Sequence, residues 1–172
     1  MKVYKMGVFS GKYKYSLDEK GRINFKKILK RILPEDHEDT KREKFNVFHL
    51  YKDYVKKPGS DEKYPVFYVF TDEEWVLFYE QLEISLSDDE LSLFTTLKCD
   101  EASLDGMSRM TFPKEFLKYI KASKNLFIQG FGGNRLQVWS EEVFEIYSKE
   151  ITAQTEEPDF HGILNRSKKK DH

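Results

Sequence analysis

Two copies of an Asp-x-x-x-Arg motif lie 87 residues apart in this chain. Residues 16–25 read SLDEKGRINF and residues 103–112 read SLDGMSRMTF, so that Ser, Leu, Asp, Arg and the final Phe are shared. A guanidinium group binds phosphate through two parallel hydrogen bonds and can also read the edge of a guanine. The first candidates for a functional site are therefore the four motif residues Asp18, Arg22, Asp105 and Arg109.

The same pairs also have a structural explanation. The aspartate can cap a tight turn while the arginine pairs with it across a hairpin, and a repeated unit repeats its structural devices as well. In the functional interpretation the turn directs the arginine outward. The lysines that would flank Arg22 are Lys12, Lys14 and Lys20. The sequence leaves both interpretations open, and for a single copy it favours the structural one.

Charge is distributed unevenly along the chain, although the formal net charge is only -1. Residues 1–31 carry ten Lys or Arg against two acids, a net of +8, whereas residues 71–105 carry eleven acids against one lysine, a net of -10. Partner choice follows the local field rather than the net charge. The basic segment, which holds the first motif, is therefore compatible with a polyanion as partner.

Alternating residues and turn-forming residues predict a hairpin around each motif. Residues 13–17 and 22–25 alternate and are rich in large apolar side chains, which indicates two short strands. Residues 18–21 predict the turn between them, with Gly21 and, in the second copy, Gly106 as turn-shaping glycines. Further strands are predicted at 45–50, 66–70, 109–112, 126–129 and 135–139.

Helices are predicted by one-sided apolar spacing and by capping residues. Residues 26–33 and 114–120 form a short helix after each motif. Capping boxes at Thr71 and Ser87 open helices that run to about residues 82 and 97, and Ser140 opens another.

Two segments depart from the repeat. The separation of matching positions falls from 87 at the aspartates to 69 at the caps Thr71 and Ser140. This difference predicts an 18-residue insertion in the first unit, within residues 35–65. Residues 151–172 are polar and are predicted to form a disordered tail.

The remaining residues give little support for catalysis or for membrane insertion. No run of 18 apolar residues occurs and the first residues lack an apolar signal segment, so we expect a cytoplasmic chain. Cys99 is the single cysteine, and around His37 a solvated charged loop is preferred to a metal site. Residues 130–133 lie between two predicted strands, which indicates a hairpin turn rather than a phosphate loop. We therefore expect no enzyme, no metal and no cofactor.

The ordered set of motifs resembles the MraZ family of bacterial transcription factors, which belongs to the AbrB/SpoVT-type swapped-hairpin proteins. In the first unit the matching segments are SG at 10–11, LDEKGRI at 17–23 and FTDEEW at 70–75. In the second unit they are ASLDG at 102–106, Arg109 and LQVWS at 136–140. The resemblance covers about residues 9–150.

The resemblance implies an α+β, β-rich fold. Two AbrB-like repeats with flanking short helices would form a pseudo-two-fold double-split β-barrel. The first unit would span residues 9–82, with the insertion inside it, and a connecting helix would follow at 83–98. The second unit would span residues 99–150, before the tail.

The resemblance also implies a sequence-specific DNA-binding transcriptional regulator. The family assembles into ring-like homo-oligomers and acts on repeated boxes upstream of its own cell-division and cell-wall operon. By position Arg22 and Arg109 would contact DNA, with Lys20 supporting Arg22, while Asp18 and Asp105 would shape their turns. The expected partners are double-stranded DNA and other copies of the chain, with no membrane and no small-molecule substrate, in the nucleoid-associated part of the cytoplasm.

The second motif departs from the family pattern more than the first. Ser108 stands where the family usually has Gly, and Met107 replaces a basic or small residue, whereas Lys26 stands where a Pro usually follows the first motif. We therefore expect Arg22 to be the main DNA contact and Arg109 to be mainly architectural. Two alternatives stay open: an AbrB-type antitoxin-like DNA-binding protein with a toxin partner, and an interaction scaffold that has lost DNA binding.

Overall fold

The structure is a computed structural model that describes residues 11–32, 47–132, 135–154, 156 and 158–168. Within these ranges eight strands are present: β1 (Lys12–Ser16), β2 (Arg22–Asn24), β3 (Val47–Lys56), β4 (Lys63–Phe70), β5 (Cys99–Ser103), β6 (Arg109–Thr111), β7 (Asn125–Gly130) and β8 (Arg135–Ser140). Six helices accompany them: α1 (Lys26–Ile32), α2 (Asp72–Ser85), α3 (Asp88–Lys98), α4 (Lys114–Tyr119), α5 (Glu141–Gln154) and α6 (Phe160–Lys168). The predicted β-rich α+β class is confirmed. The predictions for Ser10, for His37 and for the insertion before residue 47 lie outside the described residues.

The strands form one large antiparallel sheet and one small ribbon. In the described part of the chain the sheet has the open strand order β1-β7-β8-β4-β3-β5, and β2 pairs with β6 as a separate two-stranded ribbon. β1 pairs with β7, and β5 pairs with β3. The strand before each motif therefore joins a hairpin that belongs to the other half of the chain.

The pairing register is symmetric about two residue pairs. In the ribbon Ile23 lies opposite Met110, which occupies the same position in the second motif. In the sheet Tyr68 lies opposite Gln137, which occupies the matching position of the second unit. The residue pairs on either side of Tyr68–Gln137 are likewise related by exchange of the two units. In the ribbon the flanking pairs are Arg22–Thr111 and Asn24–Arg109.

Alternating side chains give the sheet two apolar faces. On one face residues such as Leu50 and Ile128 pack against the ribbon and the start of α1 and α4, through Phe25 and Phe112. On the other face aromatic residues of β4 and β8 pack against α2 and α5, with Trp139 fully buried there. The ribbon and the long acidic helix α2 therefore lie on opposite sides of the sheet.

A buried polar network lies at the centre of the sheet. The amide Nε2 of Gln137 donates to the hydroxyl of Tyr68 at 3.0 Å, across the pair at which the register is symmetric. The Oε1 of Gln137 accepts from Trp139 Nε1 at 2.8 Å and from Gln129 Nε2 at 2.6 Å. Because a buried amide without partners is costly, these bonds favour the observed register over a slipped one.

Helix starts follow local capping chemistry. Ser87 and Glu90 form the predicted capping box, with the Glu90 N–H bonded to Ser87 Oγ at 3.3 Å and the Ser87 N–H bonded to Glu90 Oε2 at 2.9 Å. Thr71 Oγ1 accepts the Glu74 N–H at 3.5 Å at the start of α2. No helix in the described ranges is long and apolar enough to cross a bilayer.

The segment predicted as a disordered tail contains helical structure. α5 continues to Gln154, and α6 follows after Asp159. Asp159 Oδ1 accepts the N–H of Gly162 at 2.9 Å, which caps the start of α6. The prediction from polarity alone missed this cap and the apolar residues Phe160 and Ile163, which stand at helical spacing.

Candidate nucleic-acid interface

The aspartate of the first motif shapes its turn. Asp18 Oδ1 accepts the backbone N–H groups of Lys20 and Arg22, both at 2.9 Å. The Gly21 N–H donates to the Asp18 carbonyl oxygen at 3.0 Å, and Gly21 has a φ of 73°. A left-handed backbone of this kind favours glycine, so the local sequence is well suited to the turn.

The second turn repeats these bonds. Asp105 Oδ1 accepts the N–H groups of Met107 and Arg109, both at 2.9 Å, and Ser108 has a φ of 57°. Ser108 therefore occupies the left-handed position of Gly21. The φ of Gly106 is not in the left-handed region and a Cβ there would meet nothing within 4 Å, so the geometry of the second turn does not require glycine at this position.

The second oxygen of each aspartate holds the arginine of the same motif. Arg22 Nε donates to Asp18 Oδ2 at 2.6 Å, and Arg109 Nε donates to Asp105 Oδ2 at 2.7 Å. These bonds use the inner donor of the guanidinium and not its two terminal Nη groups. Each aspartate thus shapes its turn with one carboxylate oxygen and positions its arginine with the other.

The hydrogen bonds of the two turns change the acidity of the aspartates. Hydrogen bonds from the Arg109 backbone and side chain outweigh partial desolvation and lower the pKa of Asp105. Partial desolvation raises the pKa of Asp18, but bonds from Arg22 and Lys20 outweigh it, so that this pKa is also lowered. Both carboxylates are therefore ionised at neutral pH and pair with their arginines.

The fold brings the two turns next to each other. The Phe25 N–H donates to the Ser108 carbonyl at 2.9 Å, and the Phe112 N–H donates to the Gly21 carbonyl at 3.2 Å. Arg22 Nη1 lies 4.0 Å from Oδ2 of Asp105 in the other motif. The two motifs consequently form a single surface.

This surface is the outer face of the ribbon. Ile23 and Met110 are 1% and 0% exposed and point to the core, so their neighbours in each strand lie on the opposite side. We call the ribbon face the four residues Arg22, Asn24, Arg109 and Thr111. Asn24 and Thr111 are exposed and were missed from the sequence, although the period-two alternation around Ile23 and Met110 would have identified them.

Lys12 and Lys14, predicted to flank Arg22, lie on the opposite side of the sheet. The Lys12 Nζ is 5.0 Å from the ring centroid of Phe144 in α5, and Lys14 forms an ion pair with Glu141 of the same helix. The reason is alternation in β1, because Tyr15 packs on the face that carries the ribbon. Lys20 is exposed within the first turn, next to Arg22.

The solvent exposure of the two arginines does not agree with the expectation that Arg22 is the main DNA contact. The side chain of Arg22 is 21% exposed, and that of Arg109 is 33% exposed. Arg22 also faces a second carboxylate, that of Asp105. The geometry thus gives Arg109 at least as much access to solvent as Arg22.

Other chemistry has little support in the described ranges. No group of three or more His, Cys, Asp or Glu side chains is placed there to hold a metal. Burial raises the pKa of the Cys99 thiol to about 11, which makes it a poor nucleophile at neutral pH. Gly130 ends β7, and residues 131 and 132 lie in the connection to the paired strand β8, as expected for a hairpin.

Comparison with known proteins identifies relatives over most of the chain. A family model described as "MraZ protein, putative antitoxin-like" matches residues 96–166. The transcriptional regulator MraZ of Chlorobium phaeobacteroides is 31% identical over 142 residues, which cover 80% of this chain and 86% of that protein.

Two further relatives carry the same name. The transcriptional regulator MraZ of Natranaerobius thermophilus is 28% identical over 153 residues, covering 87% of this chain and 92% of that protein. The one from Caldanaerobacter subterraneus subsp. tengcongensis is 26% identical over 151 residues, covering 86% of this chain and 91% of that protein. The paired motifs and the similarity to these relatives show that the chain belongs to the MraZ family of transcriptional regulators.

Proposed function

We propose that this chain binds DNA in a sequence-specific manner through the ribbon face and acts on repeated boxes upstream of its own operon. The observation that carries the proposal is that aspartates hold two arginines, Arg22 and Arg109, on the same face of a two-stranded ribbon. A two-stranded ribbon fits the major groove of B-DNA. The relatives named above are transcriptional regulators, which agrees with this role.

Positioning by aspartate makes each arginine a better ligand for DNA. A long arginine side chain has about 2 kcal/mol of rotamer entropy to lose on binding. The Nε contact to Asp18 or Asp105 restricts the side chain before DNA arrives. The terminal Nη groups are the donors that would form hydrogen bonds to a guanine edge or to a phosphate.

The positive field needed for phosphate must come from residues outside the motifs. Each motif aspartate cancels the charge of its own arginine. Helix α1 begins two residues after Asn24 and carries four cations and no acid: Lys26, Lys27, Lys30 and Arg31. The acidic helix α2 lies behind the sheet, so its charge is kept away from this surface.

We further propose that the chain is a tandem of AbrB-like units, at residues 9–82 and 99–150, joined by a helix at 83–98. The exchanged pairing of β1 with β7 and of β5 with β3 supports this division, as do the matching bonds of the two turns. In this view the ribbon and the sheet correspond to a pseudo-two-fold double-split β-barrel.

Strand register supports a divided insertion in the first unit. Ser16 pairs with Asn125 in β7, and Ser103, the counterpart of Ser16 in the second motif, pairs with Val47 in β3. Val47 and Asn125 therefore occupy matching positions of the two units, and these positions are 78 residues apart. This value lies midway between 87 at the motifs and 69 at the pair Tyr68–Gln137. Nine of the 18 extra residues would then precede β3, and nine would lie in the β3–β4 hairpin.

We also propose assembly into a ring-like homo-oligomer. One ribbon per chain offers two arginines, which give limited affinity alone. Several copies on repeated boxes would gain strongly through effective concentration. Exposed apolar side chains on α2 and α3 offer a contact surface for such assembly: Leu77, Ile84, Leu93 and Leu97.

Footprinting on the DNA immediately upstream of the gene tests this function. The wild-type chain should protect repeated boxes, and a variant with Arg22→Ala and Arg109→Ala should not protect them at the same concentration. Lys149→Ala on α5 removes one exposed charge far from the ribbon face and serves as the matched control. Absence of any protected region with the wild-type chain would contradict the proposal.

A second candidate function is a DNA-binding protein that also holds a protein partner, as an antitoxin-like protein does. The acidic helices α2 and α3 expose Leu77 at 60% and Leu97 at 61%, which would suit a partner with basic and apolar residues. Light scattering on the purified chain separates the two uses of this surface. A stable oligomer favours self-association, and a monomer favours a separate partner.

A further inference from the structure

The two arginines of the ribbon face have different neighbours. Arg22 lies opposite Thr111, whereas Arg109 lies opposite Asn24. Directly opposed residues of an antiparallel pair have Cβ atoms about 4.5–5.5 Å apart on the same face. Each arginine can therefore act together with its cross-strand neighbour on the same or the adjacent base pair.

Asparagine and threonine recognise different bases. An asparagine side chain can bind the N6 and N7 atoms of adenine with two hydrogen bonds, while threonine offers a methyl contact to thymine and one hydroxyl. Asn24 is also fixed at the start of α1, because its Oδ1 accepts the Lys26 N–H at 3.1 Å. A carbonyl oxygen has two lone pairs, so this bond still allows a contact to adenine.

The surroundings of the two pairs also differ. Asn24 leads directly into the basic helix α1, which would bind phosphates next to the Arg109–Asn24 pair. The corresponding helix α4 follows Thr111 and carries Lys114, Glu115 and Lys118. In addition, Lys20 in the first turn corresponds to Met107 in the second.

We propose that Asn24 determines specificity together with Arg109, and that each recognised box is a pseudo-palindrome with unequal halves. One half is read by Arg22 and Thr111, and the other by Arg109 and Asn24. This inference rests on the proposed DNA binding through the ribbon face, and it extends that proposal to a residue other than the aspartates and arginines of the two motifs.

Exchanging the two cross-strand neighbours tests the inference. Asn24→Thr makes both pairs Arg–Thr and retains a side-chain oxygen that can cap α1, since threonine is a good capping residue. Thr111→Asn makes both pairs Arg–Asn and does not touch the α1 cap, so it keeps the test valid if Asn24→Thr is poorly folded. The probe is a library of DNA duplexes randomised over about two helical turns, roughly 20 base pairs.

The wild-type chain should select a consensus whose two halves differ at one or more symmetry-related positions. Each variant should select a consensus in which these positions are alike, with a change of roughly 5- to 150-fold in base preference, as expected for one bidentate contact. If both variants select the wild-type consensus, the role of Asn24 is refuted while DNA binding stands. If the wild-type chain selects no consensus, the proposed function fails as well.

Discussion

Ile23 lies directly opposite Met110 at the centre of the ribbon, and both side chains are buried in the main core. The two residues occupy the same position in motifs that are 87 residues apart. Because strand residues alternate, burying this pair places all four residues of the ribbon face on the outside. The pair therefore fixes both the stability of the ribbon and the position of its functional side chains.

Truncating this pair should destabilise the protein. Met110→Ala removes most of a side chain that is 0% exposed and should lower the free energy of unfolding by about 2–5 kcal/mol. Ile23→Val removes one methylene group at the matching position and should cost about 0.5–1.5 kcal/mol. Urea denaturation measures both values. Equal stability of Met110→Ala and the wild-type chain would show that the ribbon is not packed on the sheet.

The left-handed residues of the two turns should respond in opposite ways to substitution. Ser108→Gly relieves a side chain at a φ of 57° and should stabilise the protein by about 1 kcal/mol, since the left-handed conformation costs roughly 1–2 kcal/mol. Gly21→Ala should destabilise it, because a Cβ there would lie 3.2 Å from Leu117 Cδ1 at a φ of 73°. Thermal melts compare the two variants. A loss of stability in Ser108→Gly would contradict the proposed equivalence of the turns.

Local features of this fold could be predicted from the sequence. The motif turns, the Ser87–Glu90 capping box and the strands of the β7–β8 hairpin depend on residues close to one another in the chain. Their chemistry is visible in a short window. Gly106 is an instructive exception, because the position that needs a positive φ is fixed by the hydrogen bonds of Asp105 and not by the nearest glycine.

The positions of the site residues could not be predicted in the same way. β1 pairs with β7 more than 100 residues away, and no local pattern specifies this partner. The orientation of Lys12 and Lys14 depends on that pairing, so nearness to Arg22 in sequence did not imply nearness in space. Alternation around Ile23 places Asn24 on the outer side of its strand, but its pairing with Arg109 was not visible in the sequence, since Arg109 comes from the other motif.

The two turns should make stability depend on pH in the acid range. Hydrogen bonds hold the pKa values of Asp105 and Asp18 below the value of about 3.9 for an unperturbed aspartate. A depressed pKa contributes stability that is present above the unfolded value and is lost as pH falls through the folded value. Wild-type stability should therefore decline below about pH 4 in part because these groups take up protons.

A variant with Asp18→Asn and Asp105→Asn should lack this contribution. The difference in free energy of unfolding between the wild-type chain and the variant should be largest above about pH 5 and should shrink as the pH falls below 4. Denaturation at several pH values measures it, and NMR titration of the two carboxyl carbons gives the pKa values directly. Carboxyl pKa values at or above 3.9 would contradict the hydrogen-bond network of the turns.

DNA binding through the ribbon face is tested most directly by titrating the upstream DNA fragment with variants of the two arginines. Arg22→Ala and Arg109→Ala together should weaken binding at least about 30-fold, since each of the two arginine contacts contributes about 1–3 kcal/mol. Lys14→Ala should leave affinity within about threefold of wild type, because Lys14 pairs with Glu141 on the other side of the sheet. Wild-type affinity should fall steeply with salt, with a log–log slope of about -0.9 for each phosphate contact. Wild-type affinity in a folded Arg22→Ala, Arg109→Ala variant, at both low and high salt, would contradict the account.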